Sequence, residues 1–296
     1  MIKISNNTLT LTLHIPDGVK GYYRGTRFDW AGVFESIGYR GCNYSEPWFE
    51  NYSPTMHDAV CGPAEEFSPI GLEGTSAGDP FLKIGVGILE RLDDQPYDRF
   101  RLHKILDEGK RWTETTDTSV RFVHKIDSAT GFGYEYIKEI SICSDNNFCI
   151  SHILKNCGER RLEGDVYNHN FFTLGRLQTG PSRQIVFPFK PEGDWRAEYT
   201  EVGFIDDGIR FTRELSKGES VFTGNIHEAG KGLEGSPNGF ILSEASNGRS
   251  VRMNCAIPMF KTVFWSNHRI ACLEPYIGFD IKPGETFAFE ISYTLA

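Results

Sequence analysis

Residues 119–156 read SVRFVHKIDSATGFGYEYIKEISICSDNNFCISHILKN. Val120, Phe122, His124 and Ile126 alternate with polar neighbours and lead through Ser128-Ala129-Thr130-Gly131 into Tyr134, Tyr136, Lys138, Ile140 and Ile142. Ser144-Asp145-Asn146-Asn147 then turns the chain into Phe148, Ile150, His152 and Leu154. A two-residue period in three consecutive runs, broken by turn-forming residues, predicts an antiparallel meander with one buried face.

Working outward, the same period recurs at both ends. Leu9, Leu11, Leu13 and Ile15 oppose Thr8, Thr10, Thr12 and His14. Phe287, Phe289, Ile291, Tyr293 and Leu295 follow a Lys282-Pro283-Gly284-Glu285 turn. Further turns are marked by Asp206-Asp207-Gly208 and Asn247-Gly248, and no segment keeps a 3.6-residue period over a dozen positions. The expectation is an all-β protein, a large antiparallel β-sandwich formed by residues 1–296 as one domain. The stretch from about 40 to 79, rich in Gly, Pro, Ser and aromatics, reads as an irregular loop region, and loops of such length in compact folds are usually functional.

The composition fits this class. Of 296 residues, 39% are hydrophobic and 24% charged, enough apolar side chain for a substantial core. The net charge of −9, with scattered Lys and Arg, argues against a nucleic-acid surface, which needs a basic stripe. No apolar run is long enough to span a bilayer and the start of the chain lacks a signal-peptide core, so no membrane partner and a cytoplasmic location are expected. Seven cysteines without a Cys-x-x-Cys pair are expected to stay reduced, although Cys143 and Cys149 flank a turn and could face one another.

Three patches stand apart from ordinary strands. Asp165-Val166-Tyr167-Asn168-His169-Asn170-Phe171-Phe172 sets a histidine between two amides that can fix its ring orientation, as a group with a pKa near neutrality needs in proton transfer. A histidine bonded to backbone for structural reasons fits the same local features. Ile270-Ala271-Cys272-Leu273-Glu274-Pro275 carries a carboxylate at the end of an apolar strand, where it must meet a partner, a ligand or a proton. Arg269 or Arg252 would serve as a purely structural partner. His57-Asp58 and Glu65-Glu66 lie in the irregular region; they suit divalent metals by type but lack tight ligand spacing, so no metal is expected.

Two aromatic clusters complete the candidates. Gly21-Tyr22-Tyr23-Arg24-Gly25-Thr26-Arg27-Phe28-Asp29-Trp30 offers rings to cover the apolar face of a small ligand and Arg27 to clamp its oxygens. If the segment is a core strand instead, alternation places Arg27 beside Asp29 on one face. Trp265, just before the Glu274 run, could form a ring platform or pack in the core.

Together the first and second of these three patches carry a resemblance. Tyr167-Asn168-His169-Asn170-Phe171-Phe172-Thr173-Leu174 resembles the aldose 1-epimerase, or galactose mutarotase-like, signature of Asn-His followed by a small or polar residue, an aromatic pair and then a leucine. Cys272-Leu273-Glu274-Pro275 is similar to that family's late strand bearing a glutamate, and Ile281-Lys282-Pro283-Gly284-Glu285-Thr286 to its usual ending. Gly239-Phe240-Ile241-Leu242 through Ser246-Asn247-Gly248-Arg249 is similar to its penultimate hairpin.

The resemblance implies a β-supersandwich, a free sugar as small-molecule substrate, and interconversion of its anomers without a cofactor. Glu274 would take the anomeric hydroxyl proton while His169 protonates the ring oxygen. The chain departs from the family in lacking an earlier histidine in a Leu-His-Gly-Gly context, and the usual Asp-His-Asn region reads Gly235-Ser236-Pro237-Asn238-Gly239. Sugar recognition must therefore differ, and Glu65, Glu66, His57, Asp58, Arg27, Trp265 and Asn168 are the candidates for it. A non-catalytic carbohydrate-binding protein is the alternative. A glycoside hydrolase or lyase is another, with Glu65 or Glu66 as the second carboxylate.

Overall fold

The computed structural model describes residues 1–175, 177–231 and 238–296. Among these the chain forms 23 strands and no helix. The Gly235-Ser236-Pro237 part of the departing segment lies outside the described residues.

The predicted meander forms as read: β10 (Ser119–Asp127), β11 (Gly133–Ser144) and β12 (Asn147–Asn156) pair antiparallel in sequence order. They belong to a ten-stranded sheet that continues through β23 (Thr286–Leu295), β20 (Arg249–Cys255), β19 (Gly239–Glu244), β14 (Arg183–Val186), β17 (Gly208–Phe211) and β16 (Val202–Ile205), with β9 (Lys110–Thr115) at its other edge. A six-stranded sheet runs β15 (Pro191–Trp195), β18 (Ser220–Glu228), β21 (Lys261–Asn267), β22 (Ala271–Ile281), β13 (Leu162–Phe171) and β5 (Gly62–Phe67). A four-stranded sheet of β1 (Ile2–Ser5), β2 (Leu9–Leu13), β3 (Phe34–Tyr39) and β4 (Cys42–Asn43) and a three-stranded one of β6 (Pro80–Lys83), β7 (Gly87–Glu90) and β8 (Ile105–Asp107) complete the chain. The strand foreseen at Leu9 stops at Leu13, and Ile15 is exposed.

Inward-facing residues of the two large sheets share one core. Phe122, Ile140, Ile150, Phe289 and Ile291 meet Val166, Leu273, Ile277 and Phe279 there. Burying a side chain of this size is worth about 1.5–3 kcal/mol, so alternation in the strand sequences is enough to decide which face turns inward. All seven cysteines are free thiols.

Two expectations are corrected. Gly62–Phe67, read as irregular, is strand β5, buried along its whole length, and pairs with β13 from Phe171↔Gly62 to Val166↔Phe67. Burial on both faces erased its alternation, and Pro63 is tolerated because β5 is the last strand of its sheet. Conversely, the Tyr22 to Trp30 segment contains no strand. It crosses the outer edge of β5, where the Asp29 amide donates to the Glu65 carbonyl at 2.8 Å. Arg27 and Asp29 consequently diverge to opposite sides of the sheet instead of sharing a face: Arg27 reaches Glu66 and Asp29 reaches Lys138.

The inner side is not wholly apolar. Lys138 of β11 donates to Asp29 at 3.3 Å, to the Ala31 carbonyl at 2.7 Å and to Glu65. Glu65 in turn meets His152 Nε2 of β12 at 3.2 Å and the Asn168 amide at 2.9 Å. Burial opposes the Glu65 charge, yet Lys138 and His152 hold its pKa down to about 2. Burial likewise opposes the Lys138 charge, and the two carboxylates raise its pKa all the same. Glu65 thereby ties the six-stranded sheet to the ten-stranded one.

Replacing Lys138 by Met leaves two buried carboxylates without their cation and should cost about 3–5 kcal/mol in denaturant unfolding. A loss under about 1 kcal/mol would show that the cluster does not join the sheets. Because its folded pKa is depressed, Glu65 contributes stability that is complete above its ordinary value of 4.5 and lost as pH falls toward about 2. Glu65→Gln should flatten the acid limb of a stability–pH curve in that window.

Candidate functional site

The outer face of the six-stranded sheet is concave and holds a cleft of about 530 Å³. Its floor follows from strand alternation. Tyr167, His169 and Phe171 on β13, Glu274 and Tyr276 on β22, Lys261, Val263 and Trp265 on β21, and Phe222 on β18 all project to this side. Tyr167 pairs with Tyr276 across β13 and β22. Two residues further along each strand, the same register sets His169 against Glu274. His169 Nε2 lies 3.2 Å from Glu274 Oε1.

Both groups are almost fully buried, and burial moves them in opposite directions. It lowers the His169 pKa well below the usual imidazole range, assisted by the nearby positive charges of Arg27 and Arg99. It raises Glu274 to about 7, with the same two guanidinium groups pulling back only in part. Glu274 is therefore the more basic partner of the pair.

The His169 ring is positioned by stacking. Phe171 lies parallel to it with centroids 3.7 Å apart, Trp48 stacks on Phe171 at 5.0 Å, and Phe28 and Trp265 meet the imidazole edge-on at 6.1 and 5.6 Å. The flanking amides do not hold it, contrary to expectation. Asn168 and Asn170 point through the other face of the sheet, Asn168 to Glu65 and Asn170 to the Leu273 carbonyl at 2.7 Å and the Tyr293 hydroxyl at 2.8 Å. Among the described residues His169 Nδ1 has no hydrogen-bond partner, and Nε2 is the nitrogen that meets Glu274.

Glu65 and Glu66 are adjacent on β5 and so face opposite ways. Glu65 belongs to the cluster between the sheets and does not reach the cleft. Glu66 lies beneath the cleft wall, where it takes Arg27 at 2.8 Å, Lys83 at 3.2 Å and Arg99 at 3.4 Å and accepts the Tyr167 hydroxyl. Burial opposes its charge, but the three cations keep its pKa down to about 2. Its role is to fix Arg27 and Arg99, whose guanidinium groups both donate to the Tyr167 hydroxyl at 3.0 Å. Neither Arg269 nor Arg252 pairs with Glu274; Arg269 reaches Glu50 instead.

The other candidates do come together. Arg27, His57, Asp58 and Trp265 line the cleft with His169 and Glu274. His57 and Asp58 form part of its rim, 3.8 Å apart, and His57 meets the exposed ring of Phe100 edge-on at 5.0 Å. Among the described residues no group of His, Cys, Asp and Glu converges as a metal site. Sequence reading missed Trp48, Arg99, Phe100, Arg196, Phe222, Lys261 and Tyr276. Counting by twos from the two anchors would have yielded Tyr276 beyond Glu274 and Lys261 on the Trp265 strand. Trp48, Arg99 and Phe100 sit on loops, where no period announces which way a side chain points.

No protein-family model matches the sequence, and no curated protein matches it. Solved structures do match in fold. A galactose mutarotase-like protein from Clostridium acetobutylicum superposes with a TM-score of 0.61 at 12% identity, over 99% of this chain and 94% of that one. A galactose mutarotase-like protein from Lactobacillus casei gives 0.57 at 12% identity over 100% of both chains. The GalM/aldose epimerase homologue from C. elegans gives 0.57 at 14% identity, covering 100% of this chain and 98% of its own. The all-β chain thus has, over its whole length, the fold of the galactose mutarotase-like proteins.

Proposed function

We propose that the protein interconverts the anomers of a free sugar by opening and reclosing its hemiacetal ring, with His169 and Glu274 as the proton-transfer pair. The observation that carries this reading is the 3.2 Å approach of His169 Nε2 to Glu274 Oε1 at the floor of an aromatic-walled cleft. The two oxygens that exchange protons in ring opening are bonded to the same carbon, so acid and base must be neighbours. A glycosidase needs its carboxyl groups about 5–9.5 Å apart across the scissile bond. Glu65 lies behind the sheet and Glu66 is engaged by three cations, so neither of the carboxylates first considered for that role stands opposite Glu274.

The chemistry needs one proton on the pair. Once the pair's proton has passed from Glu274 to His169 Nε2 across their 3.2 Å contact, Glu274 takes the proton of the anomeric hydroxyl as His169 gives one to the ring oxygen, and the ring opens to the aldehyde. The pair is left as neutral imidazole and carboxylic acid. After the C1–C2 bond rotates, the imidazole recovers the proton from the chain hydroxyl and Glu274 returns one to the aldehyde oxygen. The other anomer closes and the pair is restored. Each positioned group contributes about 10²–10⁴-fold. Trp265, half-buried in the cleft wall, supplies a flat apolar surface that can cover a sugar ring. The fold shared with proteins described as galactose mutarotase-like and aldose epimerase homologues supports the same reading.

NMR exchange spectroscopy on a panel of aldoses should show accelerated interconversion, and Glu274→Gln and His169→Asn should each lower it by about 100-fold or more while the circular dichroism spectrum is unchanged. Equal exchange by wild type and variants would remove the mechanism, and binding without exchange would point to a carbohydrate-binding protein. The pH profile follows from Glu274 holding the pair's proton with a pKa of about 7. Above that value the pair is empty, so kcat/KM, corrected for spontaneous mutarotation, should fall as pH rises through about 7. A rate that climbs across this range would contradict it.

A further inference from the structure

The cleft is lined by four cations, Arg27, Arg99, Arg196 and Lys261, against two carboxylates, Asp58 and Glu274. This local excess lies in a chain whose net charge is −9. Part of it has an internal explanation, because Arg27 and Arg99 serve Glu66, which Lys83 also reaches from below. The remainder does not. Among the described residues neither Arg196 nor Lys261 has a carboxylate within ion-pair distance, and the Arg99 side chain is 39% exposed.

Arg196 and Lys261, together with Arg99 above its ion pair to Glu66, are braced by rings. Lys261 Nζ stands 4.7 Å over the Tyr276 ring, Arg99 Cζ 5.6 Å over Tyr167, and Arg196 Cζ 4.1 Å over Phe222. Tyr167 and Tyr276 are themselves stacked at 4.5 Å, so Arg99 and Lys261 flank one aromatic step beside Glu274, and Phe222 packs against the same cluster. Cation–π contact orients such groups without neutralising them. Burial outweighs them at Glu274, whose pKa Arg99 and Lys261 lower only in part and which stands at about 7. A neutral sugar entering here would strip water from charged groups and give them no charge in return, whereas an anion would meet them with charge-assisted hydrogen bonds.

We propose that the sugar taken by this cleft bears an oxyanion, a carboxylate or a phosphoryl group, held between Arg99 and Lys261 with Arg196 on the adjoining wall. The inference rests on the anomer-exchange reading for the position of the reacting carbon at His169 and Glu274, and it names the substrate class of that site. No bond forms or breaks at the anionic group, which serves only to orient the ring.

The test is a panel of glucose, galactose, glucuronate, galacturonate and glucose 6-phosphate, assayed on the intact protein by NMR anomer exchange and, separately, by calorimetric binding. The expected result is kcat/KM at least tenfold higher for one anionic class than for the matching neutral sugar, with the preference shrinking as salt is raised. The uronate and phosphate arms distinguish carboxylate from phosphoryl. Lys261→Met and Arg196→Met should each lower the ratio of anionic to neutral kcat/KM by about tenfold to a hundredfold, mainly through KM. Neutral sugars exchanged as well as anionic ones would overturn the substrate class and leave ring opening intact. Anionic sugars bound but not exchanged would support the anion site and sink the exchange reading. Absence of binding by every anionic sugar would overturn this inference outright.

Discussion

The constraint on which the rest depends is that two adjacent glutamates on one buried strand cannot be left without cations. Glu65 and Glu66 occupy consecutive positions of β5, so one side chain enters the space between the sheets and the other the layer under the cleft. A buried unpaired carboxylate would cost several kcal/mol, and each position has recruited its own partners. Glu65 draws in Lys138 and His152 from the opposite sheet, and Glu66 draws in Lys83 from the end of β6 and Arg27 and Arg99 from segments outside any strand. One short strand thus fixes both the spacing of the layers and the walls of the cleft. The irregular segment bearing Arg27, Phe28 and Asp29 is held on both sides of that strand, which places Phe28 against the edge of His169.

Much of this was legible in the sequence. Residues 119–156 gave a three-stranded meander because one face is apolar and the turns carry Ser, Asp, Asn and Gly. His169 and Glu274 were singled out as a histidine and a carboxylate in apolar strand surroundings and paired by the family resemblance, and they lie 3.2 Å apart. What the sequence concealed has physical causes too. Gly62–Phe67 is buried on both faces and so loses its period, which let a strand read as a loop and let Glu65 and Glu66 read as cleft residues. Asn168 was placed at the site by adjacency to His169, but adjacency on a strand means opposite faces, and its amide goes to Glu65. The loop-borne Trp48, Arg99 and Phe100 reach the cleft through tertiary contacts that no local pattern encodes.

The electrostatics of the cleft follow from a competition between burial and nearby cations, and the outcome differs from one carboxylate to the next. Glu66 has three cations within 3.4 Å, and they win: its pKa is held near 2 and it never takes part in proton exchange. Glu274 feels Arg27 and Arg99 only at longer range, and burial wins, leaving it near 7. The same two guanidinium groups thus fix one carboxylate as a permanent anion and leave the other free to titrate, because Coulomb attraction falls with distance while desolvation is similar for both. A shift of either arginine toward Glu274 would lower its pKa, while Glu66 would keep Lys83 and the other arginine.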